Sequence, residues 1–478
     1  MSIARSSGGA AMARLDTRAW GLLLVLCSAL FLDALDVSMV GVALPSISAD
    51  LDMSTGSLQW VISAYVLGFG GFLLLGGRAA DLLGRRRMFL IALAVFVIAS
   101  GLGGFVDEGW LLIATRFIKG VSAAFTAPAG LSIITTSFAE GPLRNRALSI
   151  YAATGATGFS LGLVIGGLLT EIGWRWVFLL PVPIALATLV AAVALVPDAG
   201  RPPAGARRAF DLAGAVAVTA AMLLLVFTVV EAPEAGWASA RTIGSLAGVA
   251  ALLAAFVAIE RRTVQPLVRL GILRSAALLR ANVAAMALFG GWVGFQFIAT
   301  LYMQQVRGWS PLETGLAILP GGLLVALIAP RLTPLITRFG PGPLISVGLA
   351  AAALGYALFL PIGPDSPYLT AMLPTMLLGG LGFAFAYGPL TIAATNGIAP
   401  EEQGLAGGLV NTSFQFGGAL VLAVVTAVNN AATGGPGSAE GLLDGFTPAL
   451  VVSLVVALIG VAATTLRRPQ AAPAADPA

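Results

Sequence analysis

The chain has 478 residues, of which 58% are hydrophobic and only 10% are charged, and its formal net charge is +4. Soluble domains carry about 25% charged residues, so this composition excludes a soluble globular protein and indicates a membrane protein. One cysteine and no histidine exclude a disulfide framework and a zinc site built on histidine or several cysteines. We expect neither a metal nor a cofactor.

The predicted elements are apolar segments about as long as the ~20 residues with which a helix crosses a bilayer. In chain order they cover residues 20–43, 58–77, 88–106, 110–135, 147–170, 176–196, 212–230, 242–259, 281–303, 314–336, 343–361, 369–395, 405–428 and 446–466. We therefore predict an all-α fold, a polytopic membrane bundle of about fourteen transmembrane helices. The first segment follows three arginines, as a signal peptide would, but it is too long for an h-region and we expect it to be retained.

The basic residues test the topology independently of hydropathy. With the N-terminus in the cytoplasm, 21 of the 26 lysines and arginines fall in the tails and the even-numbered loops. The outer loops hold only Arg175, Arg241 and Arg307, and the other two basic residues lie inside the fourth segment. This bias follows the positive-inside rule, so we predict a protein of the cell membrane with both termini cytoplasmic. The basic charge reflects topology, and we expect no nucleic-acid partner.

Two long inner connections, at residues 197–211 and 260–280, divide the segments into six, two and six. We predict an N-terminal six-helix half at 1–196, two extra central helices with inner loops at 197–280, a C-terminal six-helix half at 281–466 and a disordered tail at 467–478. Paired halves of six spans are common in transporters, with the binding site between them near the midplane. The role of the central helices stays open.

Four charged residues lie inside apolar segments, where each costs about 2.5–3.5 kcal/mol and needs a partner or a function. From the helix rise, Asp36 and Arg116 lie roughly 10 and 9 Å below the outer ends of their segments. Asp33 and Lys119 lie one turn deeper, at roughly 15 and 13 Å. Residues three apart share a helix face, so we expect the two acids to meet the two bases at matched heights. The set is either a structural ladder of salt bridges or a titratable site for protons.

Three of these residues, Asp36, Arg116 and Lys119, belong to stretches that resemble a known family. LDVSMVGVALP (35–45) resembles the first-span signature of the drug:proton antiporters with fourteen spans, a branch of the major facilitator superfamily. Further stretches match the motifs of that family in the expected order: GRAADLLGRRR (77–87), RFIKGVSAA (116–124), GFSLGLVIGG (158–167), WRWVF (174–178) and NTSFQFGGAL (411–420). The resemblance covers nearly the whole chain, and it implies a role in proton coupling for the arginine of the fourth span, Arg116.

The sequence departs from the family pattern at four positions. Leu163 stands where the fifth-span motif normally has proline, which weakens the case for export over import. Lys119 replaces a common glutamine, Phe414 replaces a common arginine, and Asp33 is an additional acid that could compensate Lys119.

The glycines of the fifth span, Gly158, Gly162 and Gly166 with Gly167 beside them, form a smooth stripe on which a partner helix can pack closely. Ordinary glycine packing is the alternative, because the chain has 59 glycines.

The loop after the second span carries the residues of a possible inner gate. Gly84 permits a tight turn there, and Asp81 can accept hydrogen bonds from a helix N-terminus. The motif residues are Gly77, Asp81, Gly84, Arg85 and Arg86. Family geometry would bring Glu401 and Glu402 opposite the arginines, which suggests an ion-paired gate between the halves. As the alternative, the arginines serve only as positive-inside anchors.

A polar and aromatic face in the ninth span suggests substrate contacts. Trp292, Gln296 and Met303 fall at helical spacing, and Asn411 with Gln415 forms a second polar pair in the thirteenth span. Such faces suit amphipathic molecules held by burial and a few hydrogen bonds, although helix packing would produce the same pattern.

The sequence therefore predicts a secondary active transporter that exports hydrophobic or amphipathic small molecules, such as drugs or natural products, in exchange for protons. The alternative within transport is a proton-coupled importer of a small metabolite. A non-transporting scaffold or sensor is a second alternative. An enzyme is not expected, because no nucleophile and base can be recognised. We expect protons, an amphipathic substrate and the lipid bilayer as partners of a monomer.

Overall fold

The computed structural model describes residues 16–138, 142–197, 211–263, 266, 268–396, 398, 403–433 and 439–465. These residues form helices and connecting turns, and no strand occurs among them. The helices are α1 Thr17–Asp50, α2 Thr55–Leu83, α3 Arg85–Gly103, α4 Gly109–Ser137, α5 Pro142–Ile172, α6 Trp176–Leu179, α7 Pro181–Leu195, α8 Leu212–Ala235, α9 Ala240–Arg262, α10 Ala276–Leu301, α11 Pro311–Ile328, α12 Thr333–Phe339, α13 Pro341–Phe359, α14 Leu373–Thr395, α15 Gln403–Ala432 and α16 Ala439–Thr465. The predicted all-α bundle is confirmed.

Within the described residues, thirteen helices are long and apolar enough to cross a membrane. A shorter apolar stretch, Ala213–Val229 within α8, coincides with the seventh predicted segment. The sixth segment is α6 followed by α7, and π-helical turns at Tyr302–Val306 and Tyr368–Met372 extend α10 and precede α14. The structure is therefore consistent with about fourteen spans.

The tenth predicted segment, 314–336, is wrong at its C-terminal end. Helix α11 stops at Ile328, and a 3₁₀ turn at Ala329–Arg331 leads into the short helix α12. Pro330 and Pro334 explain the break, because a proline lacks the N–H that would continue the helical hydrogen bonds. Hydropathy does not register this break.

Local signals in the sequence set several helix ends. Ser310 caps α11 and accepts a hydrogen bond from the backbone N–H of Glu313, whose side chain accepts one from the N–H of Ser310. This capping box, with Pro311 in the first turn, satisfies backbone donors that would otherwise be exposed. Between α2 and α3, Gly84 has φ +99°, a conformation that residues with a Cβ rarely adopt.

We call the end of the bundle where α1 begins the amino face, and the end where α1 finishes at Asp50 the far face. In the first half of the chain α1 packs along α5, and α2 along α4. In the second half α10 packs along α15 and α16, and α13 along α14. The two groups meet where α2 contacts α15 and α5 contacts α11, while α8 touches both α2 and α15.

Glycines set the closeness of these contacts. A Cβ on Gly68 of α2 would lie 2.5 Å from the carbonyl oxygen of Phe117, and one on Gly120 of α4 would collide with the carbonyl of Tyr65. Without glycine at both positions, α2 could not lie against α4 at this distance. This packing places the backbone of α2 beside the charged residues of α4.

Candidate functional site

The buried charges converge on the carboxylate of Asp36. The guanidinium of Arg116 donates from Nη1 to Oδ2, and the ammonium of Lys119 donates from Nζ to Oδ1. All three side chains are essentially inaccessible, with at most 1% of each residue exposed. One carboxylate thus carries two cations, in surroundings where an unpaired charge would be costly. We call these three residues the ion cluster.

Helix α4 positions both cations because Arg116 and Lys119 are three residues apart on one face. The guanidinium of Arg116 also donates from Nε to the carbonyl oxygen of Val61 at 2.9 Å and lies 4.6 Å from the ring centre of Tyr65. Both of these contacts are on α2. Arg116 therefore joins α1, α2 and α4 at one level.

Lys119 is enclosed by aromatic rings. Its Nζ lies 4.7 Å from the ring centre of Phe96 and 5.2 Å from that of Phe178. The face of an aromatic ring attracts a cation, so these rings partly replace the water that the ammonium group loses. Sequence patterns do not predict Phe96, Phe178 or Tyr65 as residues of this site, because each reaches it from a different helix.

Asp33 does not take part in the predicted ladder. It is 8% exposed, and no hydrogen bond or ion pair within 4 Å links it to the described residues. Lys119, expected opposite Asp33, pairs with Asp36 instead. The flexible four-carbon chain of lysine spans the one-turn offset. Asp33 stays within Coulombic range of Lys119 and Asp36 without touching either side chain.

The glycine stripe of α5 lies directly on α1. A Cβ on Gly158 would be 2.7 Å from the carbonyl oxygen of Phe31, one on Gly162 would be 2.7 Å from that of Leu35, and one on Gly166 would be 2.5 Å from Cα of Met39. The neighbouring Gly167 instead faces α11, where a Cβ would be 2.6 Å from Cα of Leu312. Helix α5 thereby packs against α1 on one side and against the second half of the chain on the other.

The predicted gate is only partly described. Arg86 donates from Nη2 to the carbonyl of Val193 at 2.6 Å, which ties the start of α3 to α7. Arg85 follows the Gly84 turn, and a Cβ on Gly77 would make ordinary contact with Pro128 at 3.9 Å. The side chain of Asp81 lies outside the described part of the chain. The same is true of all of Glu401 and Glu402, so the gate stays a prediction.

The five predicted substrate contacts fall into different surroundings. Trp292 and Met303 are buried in the core, Trp292 with its ring 5.6 Å from Phe383. Gln296 faces α1, with its amide 3.2 Å from the position of a Cβ on Gly41. Gln415 lies against Gly70 of α2, whereas Asn411 is exposed and donates to the carbonyl of Gly407 at 2.9 Å. The two glutamines therefore lie where the halves meet.

Comparison with known proteins places this arrangement in a family. The sequence profile of the Major Facilitator Superfamily matches residues 26–422. The chain belongs to the major facilitator superfamily. This confirms the superfamily expected from the motifs, and members of this superfamily are membrane transporters and not enzymes.

Individual relatives agree with the drug-efflux branch of the major facilitator superfamily. The cephamycin export protein of Amycolatopsis lactamdurans is 39% identical over 416 residues, which cover 86% of this chain and 85% of that one. The puromycin resistance protein of Streptomyces alboniger is 40% identical over 429 residues, covering 87% and 83%. A peptide transporter crystallised with sulfate shares the fold, with a TM-score of 0.66 at 18% identity over 92% of this chain and 94% of that one. The protein is thus a multi-pass membrane transporter of small molecules.

Proposed function

We propose that the protein exports hydrophobic or amphipathic natural products in exchange for protons, and that Asp36 is the proton site. The observation that carries the proposal is the ion cluster, in which one fully buried carboxylate forms ion pairs with two cations on a neighbouring helix. Relatives at 39% and 40% identity, named for cephamycin export and puromycin resistance, support export of natural products.

The chemistry of a cycle follows from the charges. While Asp36 is ionised, it holds α1 against α4 through Arg116 and Lys119. A proton on Asp36 cancels its charge and removes most of its attraction for both cations, so the protonated and deprotonated forms favour different packings. Asp33, one turn away and within Coulombic range of Asp36 and Lys119, forms part of the same coupled set.

The contacts between the halves support a state that opens toward the amino face. Near the far face, Gln304 of the π-helical turn after α10 donates to the carbonyl of Val42 at 2.9 Å, and Gly167 packs on Leu312. Toward the amino face Asn411 is exposed, and no atom of the described residues lies within 4 Å of a Cβ on Gly407. By the positive-inside rule the amino face is cytoplasmic in the cell membrane, with both termini on that side.

The remaining assignments complete the proposal. The halves 1–196 and 281–466 move against each other in a monomer, and the central helices at 197–280 stay attached where α8 touches α2 and α15.

Arg85 and Arg86 close the cytoplasmic end by pairing with Glu401 and Glu402. Reversing both charges with Glu401→Arg and Glu402→Arg should raise labelling of a cysteine introduced on the cytoplasmic side, and unchanged labelling would remove the gate.

Proton flux in inverted membrane vesicles tests the exchange itself. The lumen is first acidified, and a panel of natural products and drugs is then added outside, on the cytoplasmic side. An exporter takes the compound in and lets protons out, so the pH gradient falls on addition. An importer that carries its substrate in the same direction as the proton would find no substrate in the lumen to carry out. The pH gradient would then stay intact, and that result would contradict the proposal.

A further inference from the structure

We propose that four aromatic rings of the second half form a stacking subsite for a planar aromatic portion of the transported molecule. The rings are Phe289 of α10, Phe383 and Tyr387 of α14, and Phe414 of α15, and we call them the aromatic platform. This inference rests on the proposed function, because it names a substrate class for the same transport pathway.

The rings form a continuous surface from three helices. Tyr387 is stacked on Phe414 with ring centres 4.8 Å apart and planes 23° apart, and on Phe383 at 6.1 Å and 20°. Phe289 meets both phenylalanines edge-on at 6.3 Å. Near-parallel rings flanked by an edge-on ring present the offset geometry that a further flat ring would extend.

The platform is open on the side of Tyr387, of which 45% is exposed. Tyr387 lies eight residues before the end of α14 at Thr395, and Asn411 lies eight residues after the start of α15 at Gln403, so both are about 12 Å below the amino face. The Tyr387 hydroxyl has no hydrogen-bond partner among the described residues. Polar groups exposed at this depth face a water-filled cavity rather than hydrocarbon.

The platform also borders the first half of the chain. A Cβ on Gly418 would be 3.0 Å from the ring of Phe289 and 3.5 Å from the side chain of Val66 in α2. Gln415 lies one turn before Gly418 on α15, and it packs against Gly70 of α2. The rings therefore lie beside the seam between the halves, where a transported molecule has to pass.

The chemistry of these groups selects a flat aromatic ligand. Four rings offer polarizable faces and no charge, Tyr387 adds a hydroxyl at the open edge, and Asn411 lies three residues before Phe414 at the same depth. A planar ring system with a polar edge group would stack on Tyr387 and reach its hydroxyl. An aliphatic molecule of equal size would gain burial but no stacking, which contributes a further attraction between rings.

A closed ring pair elsewhere in the protein provides a matched control. Phe295 and Tyr356 are stacked at 5.1 Å and 28°, much like the platform, but they are 1% and 2% exposed. Replacing a ring there perturbs packing without touching the open surface. The two pairs separate a binding role from a structural one.

Equilibrium dialysis of the purified full chain in detergent tests the proposal with acridone, a planar neutral ring system, and dicyclohexyl ketone, its aliphatic counterpart. Base stacking on protein aromatics is worth about 1–3 kcal/mol, so Tyr387→Leu should weaken acridone binding at least about five-fold. Tyr387→Phe keeps the ring and should lose less than Tyr387→Leu, and the control Phe295→Leu should stay within about two-fold of the wild type. Binding of dicyclohexyl ketone should be equally strong in all four proteins.

Any of three results would overturn the subsite. The wild type could bind dicyclohexyl ketone but not acridone, or Tyr387→Leu could bind acridone as well as the wild type does. The third is that Tyr387→Leu loses affinity for both probes to the same extent. If Tyr387→Leu does not fold, Phe414→Leu replaces it with the same expectations. Dialysis involves no proton gradient, so its outcome is independent of whether Asp36 couples transport to protons.

Discussion

Nε of Arg116 donates a 2.9 Å hydrogen bond to the carbonyl oxygen of Val61, while Nη1 of the same guanidinium binds Asp36. One side chain thus connects a backbone group of α2 to the buried carboxylate of α1. The fixed fork of a guanidinium permits this double attachment, which a single ammonium group could not reproduce in the same geometry. Loss of the Asp36 charge would therefore weaken the contacts that join α1, α2 and α4.

Asp36→Asn should lower the thermal stability of the protein strongly. Removing one partner of a buried ion pair leaves an uncompensated charge, at a cost of about 3–5 kcal/mol. The double variant Asp36→Asn with Lys119→Met should recover part of the loss, because one orphaned cation disappears with the carboxylate. Thermal unfolding of the purified proteins measures both effects. Equal melting temperatures for the single and double variants would show that Lys119 does not depend on Asp36.

Asp33→Asn should be much milder than Asp36→Asn. Asp33 has no direct hydrogen bond or ion pair to lose among the described residues, and the ion cluster stays intact without it. We expect transport by Asp33→Asn to be reduced but measurable, and transport by Asp36→Asn to be abolished even when the protein levels are matched. Efflux assays in cells with matched protein levels compare the two. If Asp33→Asn abolished transport and Asp36→Asn did not, the proton site would be Asp33, one turn away on α1.

The fold and the identity of the charged residues could be predicted from sequence, but their pairing could not. Hydropathy depends on residue type alone, and it located the apolar segments, apart from the C-terminal end of the tenth. The pairing of Lys119 with Asp36 rather than Asp33 depends on the relative height of two helices and on a lysine rotamer, which no local pattern encodes. The aromatic platform was missed for a related reason, because its rings are brought together only by the packing of α10, α14 and α15.

Gly162→Ala should disrupt the packing of α5 on α1. Its new Cβ would lie 2.7 Å from the carbonyl oxygen of Leu35, and overpacking of this kind costs about 1–3 kcal/mol. Gly101→Ala is the control, since no atom lies within 4 Å of a Cβ there and alanine favours a helix more than glycine does. Melting temperature and transport rate should fall for the first variant and hold for the second. If melting temperature and transport rate are unchanged in Gly162→Ala, α5 does not pack closely on α1 at this position.

Thr219→Val should loosen the attachment of α8. The hydroxyl of Thr219 donates to the carbonyl oxygen of Gly71 in α2 at 2.7 Å, and such a bond contributes about 0.5–1.5 kcal/mol. Thr228→Val is the matched control on the same helix, because among the described residues that hydroxyl bonds only to the carbonyl of Leu224 one turn away. Hydrogen–deuterium exchange in α8 should rise in Thr219→Val and stay near wild type in the control. Indistinguishable exchange in the two variants would mean that this bond does not hold α8 in place.

Proton release on substrate binding is the most direct test of Asp36 as the coupling group. Purified protein in weakly buffered detergent solution, close to the pH at which binding and proton uptake compete, is mixed with a compound that the vesicle assay has identified. The wild type should release up to one proton for each molecule bound, and Asp36→Asn should bind the compound and release none. Proton release by Asp36→Asn equal to that of the wild type would contradict the account.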